Sequence, residues 1–306
     1  MEMEVSMKFK RCLLFTACLM GMVCFLSSTL MVGQTDPSWR LWYPQVVNGV
    51  IGNNTYVTSL IVSNPSNIGI EVALEDFDHN SPDQWLRTSY TSNCKVVGTH
   101  FFLPAFATCR LDTDGVGPYE SGWLRISEVT KSNNLGGYLS YTYYQGDAVI
   151  GTPLFTVGVS PMPACSRFSI PVLRDVAKGE DTAFAVVNPN VFSINLRADL
   201  FDVKGLVDSR PISLLPQGHV AQFVSQLFPS ALGNATKFVG NLLIYGLGGN
   251  DSASATALIQ RKDQYGGATT TLQEVRYSKM DSDYEVGKMG PSPEGKLIST
   301  ATGPKF

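Results

Sequence analysis

Four oxygen-bearing side chains are spaced like the ligands that open a calcium-binding loop. Asp76, Asp78 and Asn80 occupy alternate positions, as the first three ligands of an EF-hand loop do, and Asp83 can add a fourth. The segment has serine at the sixth place and arginine at the twelfth, where such a loop carries glycine and glutamate. The pattern therefore favours a solvated strand end with an Asx turn, and a calcium site is the weaker alternative.

Aromatic side chains give the clearest indication of binding. Trp85 and Tyr90 lie in one segment, whereas Tyr141 and Tyr143 share one face of a predicted strand. Exposed aromatic rings on a strand can stack on sugars or anchor a protein partner. Aromatic residues also favour strands as such, so burial in a core is the competing explanation. We take these four as candidate binding residues for a surface glycan or a protein.

The sequence contains no recognisable catalytic motif. Its three histidines are isolated from one another, whereas a zinc site needs three or four converging ligands. It has no nucleophile elbow, phosphate loop or dinucleotide fingerprint. Glycoside hydrolysis needs two carboxylates across a cleft, and no such pair is evident. We therefore predict a non-enzymatic protein without a cofactor, with a hydrolase of unrecognised site as an alternative.

The first 33 residues resemble an export signal. Lys8, Lys10 and Arg11 precede an apolar run from Cys12 to about Gly33. Such a run is a cleaved signal peptide or, because about 20 apolar residues can span a bilayer, an uncleaved anchor. Basic residues on the N-terminal side leave the rest of the chain outside in both cases. We predict a secreted or cell-envelope protein, in contact with a membrane only through an uncleaved segment.

Three cysteines follow this segment. In an oxidising compartment Cys94 and Cys109 are the expected disulfide, and two free thiols are the alternative. Cys165 lies in a proline-rich stretch and is either free or paired with another chain. That second possibility, together with an uncleaved anchor, motivates a further hypothesis of an envelope or filament subunit.

Composition indicates a β-rich protein. Hydrophobic residues make up 44% of the 306-residue chain and charged residues only 16%, with 28 Gly and 17 Pro. This balance favours many short strands and turns over helices. The formal net charge is −3, which gives no reason to expect nucleic acid as a partner.

An internal repeat organises the chain. The apolar run that ends in Asn64-Pro65 recurs before Asn188-Pro189, an offset of 188 − 64 = 124 that continues without a gap to Asp202. Leu103-Pro104 is answered by Leu215-Pro216, an offset of 215 − 103 = 112. The first copy therefore has 124 − 112 = 12 additional residues after Asp78.

The repeat resembles a family of uncharacterised exported bacterial proteins with tandem immunoglobulin-like β-sandwich repeats. The shared features are the Asn-Pro turns, the Leu-Pro turns and the Gly-Trp-Leu-Arg-Ile strand at residues 122–126, answered by Gly-Asn-Leu-Leu-Ile at 240–244. The resemblance implies an all-β chain with two antiparallel sandwiches and no catalytic residues. Because Asn241 replaces the tryptophan, we expect the second core to be packed differently there.

The predicted division of the chain follows from these features. An N-terminal signal or anchor and a C-terminal polar tail flank two sandwiches, and the tail is predicted to be mostly disordered after about residue 276. The segments are the signal 1–33, a linker 34–40, the first sandwich 41–160, a linker 161–165, the second sandwich 166–262 and the tail 263–306.

Overall fold

The computed structural model describes residues 40–78, 90–129, 135–262, 268–273 and 275–278. These residues form mostly strands, organised in two antiparallel sheets, which confirms an all-β chain. Both sheets belong to one compact unit, Trp39–Phe306. The predicted signal and nearly all of the tail after residue 276 lie outside the described residues.

The first sheet has ten strands in the order β10-β9-β2-β1-β8-β3-β6-β5, with β7 paired to β2 and β4 paired to β7. The strands are β1 Arg40–Ile51, β2 Asn54–Ser63, β3 Ile70–Asp78, β4 Tyr90–Ser92, β5 Val96–Val97, β6 His100–Leu103, β7 Thr108–Thr113, β8 Glu120–Glu128, β9 Gly136–Gln145 and β10 Thr152–Val159.

The second sheet has nine strands in the order β14-β13-β16-β11-β12-β17-β18, with β15 on β12 and β19 on β11. The strands are β11 Arg167–Asp175, β12 Glu180–Val187, β13 Ile194–Asp202, β14 Gly205–Leu214, β15 His219–Phe223, β16 Lys237–Gly246, β17 Ser254–Lys262, β18 Ala268–Gln273 and β19 Arg276–Ser278. Two short helices, α1 Val224–Leu227 and α2 Pro229–Leu232, and a 3₁₀ turn at Val176–Lys178 complete it.

Strand β1 joins the two arms of the first sheet. Its residues 40–48 pair with β8, and its last three residues pair with β2. One core cluster then receives side chains from both arms, such as Leu60 and Leu111 from one and Leu124 and Ile126 from the other. Strand β3 buries Ile70 and alternate residues after it, as its period of two predicts. Strand β11 has the same role in the second sheet, pairing with β12 and β16.

The strand register confirms the repeat and shifts one of its landmarks. Ile70 pairs with Leu103, whereas the equivalent Ile194 pairs with Leu214. The residue that corresponds to Leu103 is therefore Leu214 and not Leu215, which was matched on the Leu-Pro dipeptide alone. The offset here is 214 − 103 = 111, so the first copy has 124 − 111 = 13 additional residues. In the second sheet this part of the chain forms the long β13–β14 hairpin. In the first sheet the corresponding segment contains β4, β5 and residues that the structure does not describe.

The two Asn-Pro units are structural anchors. The Asn64 amide donates to the carbonyl oxygens of Ile68, Leu103 and Pro104 at 2.7, 3.3 and 3.0 Å. The buried Asn188 amide makes the same three bonds in the second sheet, to the carbonyls of residues 192, 214 and 215. Each side chain therefore fixes its own turn and also binds the distant turn that follows the next strand.

A separate cluster of buried aromatic residues connects the two sheets. The Phe77 and Trp123 rings stack at 4.1 Å on the outer face of the first sheet. Trp42 of the same sheet joins them, and the cluster also contains Val187 of the second sheet. The indole N–H of Trp123 donates to the Gln217 carbonyl at 2.9 Å. The expectation for the tryptophan position is therefore corrected, because Trp123 belongs to this contact between sheets and not to the first core. Its counterpart Asn241 has no such role and accepts a hydrogen bond from Ser169.

The segment between the sheets is also bound at several points. The Met162 N–H donates to the Trp42 carbonyl, and the Met162 carbonyl accepts from the Ser254 hydroxyl. Cys165 and Ala253 exchange two backbone hydrogen bonds of 2.7 and 3.0 Å. The edge strands β10 and β18, one from each sheet, lie next to each other.

Candidate functional site

A cleft of about 300 Å³ lies where the first sheet meets one face of the second. We call it the inter-sheet cleft. The first sheet and its loops contribute Gln45, Val47, Tyr56, Tyr119, Tyr141, Phe155 and Val157; the second contributes Ala183, Phe184, Ala185, Ala221, Gln222, Phe223, Gln226, Thr256, Ala257, Leu258 and Gln260.

The floor of the cleft is the outer face of strands β12, β15 and β17. Ala185 pairs with both Ala221 and Thr256, and Ala183 pairs with both Phe223 and Leu258. Directly paired residues in an antiparallel sheet project to the same side, so these side chains form one surface. Four of these six positions are alanine or threonine, and such small side chains leave depth for a ligand.

The equivalent face of the first sheet has a different chemistry. Ser59, which stands where the second sheet has Ala183, pairs with Asp112 and donates to its carboxylate at 2.5 Å. Arg110, at the position of Ala221, forms an ion pair with Asp112 at 2.8 Å and is largely exposed. A solvated polar face in one repeat has thus become an apolar, small-residue face in the other, because that face is covered.

Aromatic rings form the opposite wall. Tyr143 lies between Tyr56, with ring centroids 4.4 Å apart, and Phe155, at 5.3 Å. Tyr119 contacts Tyr56 edge-on at 5.6 Å. These contacts fix one another, so Tyr56, Tyr119 and Phe155 present a preorganised apolar surface to the cleft. The Tyr143 hydroxyl accepts a 2.6 Å hydrogen bond from the Asn54 amide, which holds this group at the strand end.

Gln45 connects the wall to the second sheet. It lies in a β-bulge of β1, since the pairing with β8 shifts between Tyr43 and Val46. Its carbonyl accepts a 2.5 Å hydrogen bond from the Tyr141 hydroxyl, and its side chain lies 3.0 Å from a ring nitrogen of His219. His219 is buried in this contact.

The cleft is uncharged. None of the described residues that line it is an aspartate, glutamate, lysine, arginine or histidine. Burial raises the pKa of the Tyr141 phenol well above its usual value, and the neighbouring Tyr119 adds to the shift. Burial likewise raises the pKa of Tyr56, with further contributions from Tyr143 and Tyr119. The phenols therefore stay neutral at physiological pH, and the polar groups of the cleft are amides and hydroxyls.

Of the four aromatic residues predicted to bind a ligand, only Tyr141 lines the cleft within the described part of the chain. Tyr141 is only 3% exposed, and Tyr143 packs between Tyr56 and Phe155 without lining the cleft itself. Trp85 lies outside the described residues, and Tyr90 is placed only by its backbone, on β4. Tyr138, on the same strand as Tyr141, is 51% exposed away from the cleft.

The calcium hypothesis has partial structural context. Asp76 and Asp78 close β3, with Asp76 buried, whereas Asn80 and Asp83 lie outside the described residues. Among the described residues, no group of three or more His, Cys, Asp and Glu side chains could hold a metal ion. The complete set of four ligands stays a prediction.

The predicted disulfide between Cys94 and Cys109 is confirmed, with Cα atoms 5.7 Å apart. It ties the segment that exists only in the first copy to β7. Cys165 is buried in the core of the second sheet, so a bond to another chain would require that core to open. No helix within the described residues is long and apolar enough to cross a membrane.

Comparisons with known proteins give little further information. No protein-family model matches the chain, and no curated protein has significant sequence similarity to it. A solved structure titled "Crystal Structure of Thermotoga maritima 1070" aligns with 36% of this chain and 93% of its own, at 10% identity and a TM-score of 0.24. A similarity at that score carries no argument about this protein.

Sequence inspection missed most of the cleft. Tyr56 lies on β2, Phe155 on β10 and Gln260 near the end of β17, and no sequence motif marks any of the three. The detectable signal was a contrast between the two copies. The polar residues Ser59, Arg110 and Asp112 of the first copy correspond to Ala183, Ala221 and Phe223 in the second copy. This contrast can be recognised only when the strand register is known. The sequence offset between the equivalent strands β7 and β15 differs from the offset between the equivalent strands β2 and β12.

Proposed function

We propose that this protein is a non-catalytic binding module, secreted or held at the cell envelope, whose ligand site is the inter-sheet cleft. The observation that carries the proposal is a preformed concave site built jointly by both sheets and lined by aromatic rings, amides and small side chains. Ligand sites of proteins are typically concave, mostly apolar and furnished with a few polar groups. The partner is a surface glycan or a surface protein.

The architecture we propose is a pair of tandem immunoglobulin-like sandwiches, at about 41–160 and 166–262. In each half one strand, β1 or β11, pairs with both arms of the sheet, and a single core receives side chains from both arms. Such modules commonly serve recognition, although a fold by itself does not define a function. Export is supported by the basic and apolar N-terminal sequence and by the disulfide.

The cleft chemistry favours binding over the two alternatives. A glycoside hydrolase needs a pair of carboxylates, whereas the residues that line the cleft include neither aspartate nor glutamate. The hypothesis of an envelope or filament subunit depended partly on an intermolecular bond of Cys165, and that thiol is buried in a core.

A cleft-filling variant tests the proposal. Ala221→Trp places an indole on the cleft floor, and Arg110→Trp places the same group at the equivalent, exposed position of the first sheet. We expect the wild-type chain and the Arg110→Trp variant to bind immobilised cell-wall glycan or surface proteins alike, and the Ala221→Trp variant to bind about tenfold or more weakly. Equal binding by a folded Ala221→Trp variant, checked by circular dichroism, would refute the cleft as the site.

A further inference from the structure

We infer that the inter-sheet cleft binds an uncharged saccharide of one or two rings. This inference rests on the proposed function and specifies the ligand class of the same site. It follows from three properties of the cleft, namely its lack of charge, its combination of aromatic rings with amides, and its size.

The lack of charge selects against ionic ligands. A charged group that enters a largely buried site loses hydration, and only an opposite charge or several hydrogen bonds can offset that loss. Within the described lining there is no cation to pair with a carboxylate, sulfate or phosphate, and no anion to pair with an ammonium group. The tyrosine phenols do not supply one, because burial raises the pKa of Tyr56 and Tyr141. A neutral ligand is therefore preferred.

The side-chain chemistry selects a ligand with both apolar and hydroxyl surfaces. The rings of Tyr56, Tyr119 and Phe155 offer apolar faces, onto which the C–H face of a sugar ring can pack. Opposite them, Gln260 is partly buried and lies on the floor, on the same face of β17 as Thr256 and Leu258. An amide donates and accepts hydrogen bonds, and so does a sugar hydroxyl, so the two are matched whichever way the hydroxyl points.

Gln226 adds a directed donor at the rim. Its side-chain oxygen accepts the Phe223 N–H at 2.9 Å at the start of α1, so what it offers a ligand is its NH2 group. The rim thus combines the Phe223 ring with an amide whose orientation is already fixed. A preorganised donor of this kind lowers the entropic cost of binding.

The size and the shape favour a short saccharide over a peptide. A volume of about 300 Å³ is at the lower end of ligand sites, which run from about 300 to 1,000 Å³. The floor is the face of a sheet, and β12 in its centre is paired on both sides with β15 and β17. An extended peptide gains its affinity largely from main-chain bonds to an open strand edge, and β12 offers none.

The test is titration calorimetry of the exported chain with neutral disaccharides (maltose, cellobiose, N,N′-diacetylchitobiose, mannobiose) and with anionic digalacturonate. We expect saturable binding of at least one neutral disaccharide and none of digalacturonate. Gln260→Glu, which places a charge in the cleft, and Phe155→Leu, which removes a ring, should each weaken binding about tenfold.

Matched controls lie at equivalent places outside the cleft. Thr142→Glu adds the same charge at the position of the first sheet that corresponds to Gln260, and Tyr138→Leu removes an exposed ring from β9. Both variants should bind the disaccharide within about twofold of the wild type.

Tighter binding of digalacturonate than of any neutral disaccharide would overturn the inference. Binding of a neutral disaccharide that neither cleft variant weakens would also overturn it. If no neutral disaccharide binds while Ala221→Trp still abolishes binding to envelope material, the ligand class is wrong and the proposed function stands. If Ala221→Trp also has no effect, both fail.

Discussion

At the scale of single residues, two asparagines each connect two separate turns of the fold. Asn64 and Asn188 are almost completely buried, and each donates to three carbonyl oxygens on two different turns. The same side-chain oxygens accept backbone N–H groups two residues later, from Ser66 and Asn190. The ion pair of Arg110 with Asp112, by contrast, lies partly in solvent and contributes little.

Asn188→Ala should therefore be strongly destabilising. It leaves buried carbonyls without donors, and an unsatisfied buried polar group costs about 1–3 kcal/mol, so we expect a loss of roughly 2–4 kcal/mol in the free energy of unfolding. Asn188→Asp should be no better, because a carboxylate cannot donate to those carbonyls. Urea denaturation measures both, with the exposed Asn67→Ala as the control. A midpoint for Asn188→Ala equal to that of the control would contradict the structural role.

The sequence could predict this motif only in part. Asn before Pro predicts an extended asparagine whose side chain caps its own turn, and this is what the bonds to residues 66 and 190 show. The bonds to the distant turns depend on the register of β3 with β6 and of β13 with β14. A period of two specifies which face a residue occupies but not which residue lies opposite it, and for that reason the Leu-Pro match was one residue out.

At the scale of elements, a ladder of aromatic side chains attaches the first sheet to the second. Trp42 and Trp123 project from β1 and β8, Phe77 projects from β3, and the cluster reaches Val187 of β12. The alternation of β3 predicts that Phe77 faces away from the first core. Sequence alone does not show what covers that outer face, so Trp123 looked like a core residue.

Trp123→Asn, which installs the residue found at the equivalent position of the second sheet, tests this attachment. Loss of a buried tryptophan typically costs about 3–5 kcal/mol, and here the loss falls on the contact between sheets. We expect the two sheets to unfold in two separate calorimetric transitions in this variant and in one in the wild type. Trp123→Phe keeps a ring against Phe77 but loses the bond to the Gln217 carbonyl and part of the buried ring volume, so it should cost less, about 1–3 kcal/mol, and keep a single transition. A single transition in Trp123→Asn would mean that other contacts suffice to couple the sheets.

At the scale of the whole molecule, the two copies differ most where they face each other. The Asn-Pro turns, the strand order around β1 and β11 and the buried core positions persist in both. The outer face of β12, β15 and β17 has instead exchanged an ion pair and hydroxyl groups for alanines, Phe223 and Leu258. The cleft thus arises from the arrangement of the copies, and a motif search within either copy could not have found it.

The cleft also makes the stability of the whole molecule sensitive to alkaline pH. Burial raises the pKa of Tyr56 and Tyr141 in the folded protein above the value of about 10 that an unfolded tyrosine has. Since the folded state holds these protons more tightly, their contribution to stability is complete below about pH 10 and is lost as the pH rises above it. We expect the contribution of these phenols to the free energy of unfolding, measured with urea, to be constant from pH 7 to 9 and to fall between about pH 10 and 11. Tyr56→Phe removes one such group and should make that fall shallower. If Tyr56→Phe has the same alkaline slope as the wild type, the phenol at the cleft wall is not held in the neutral form by its surroundings.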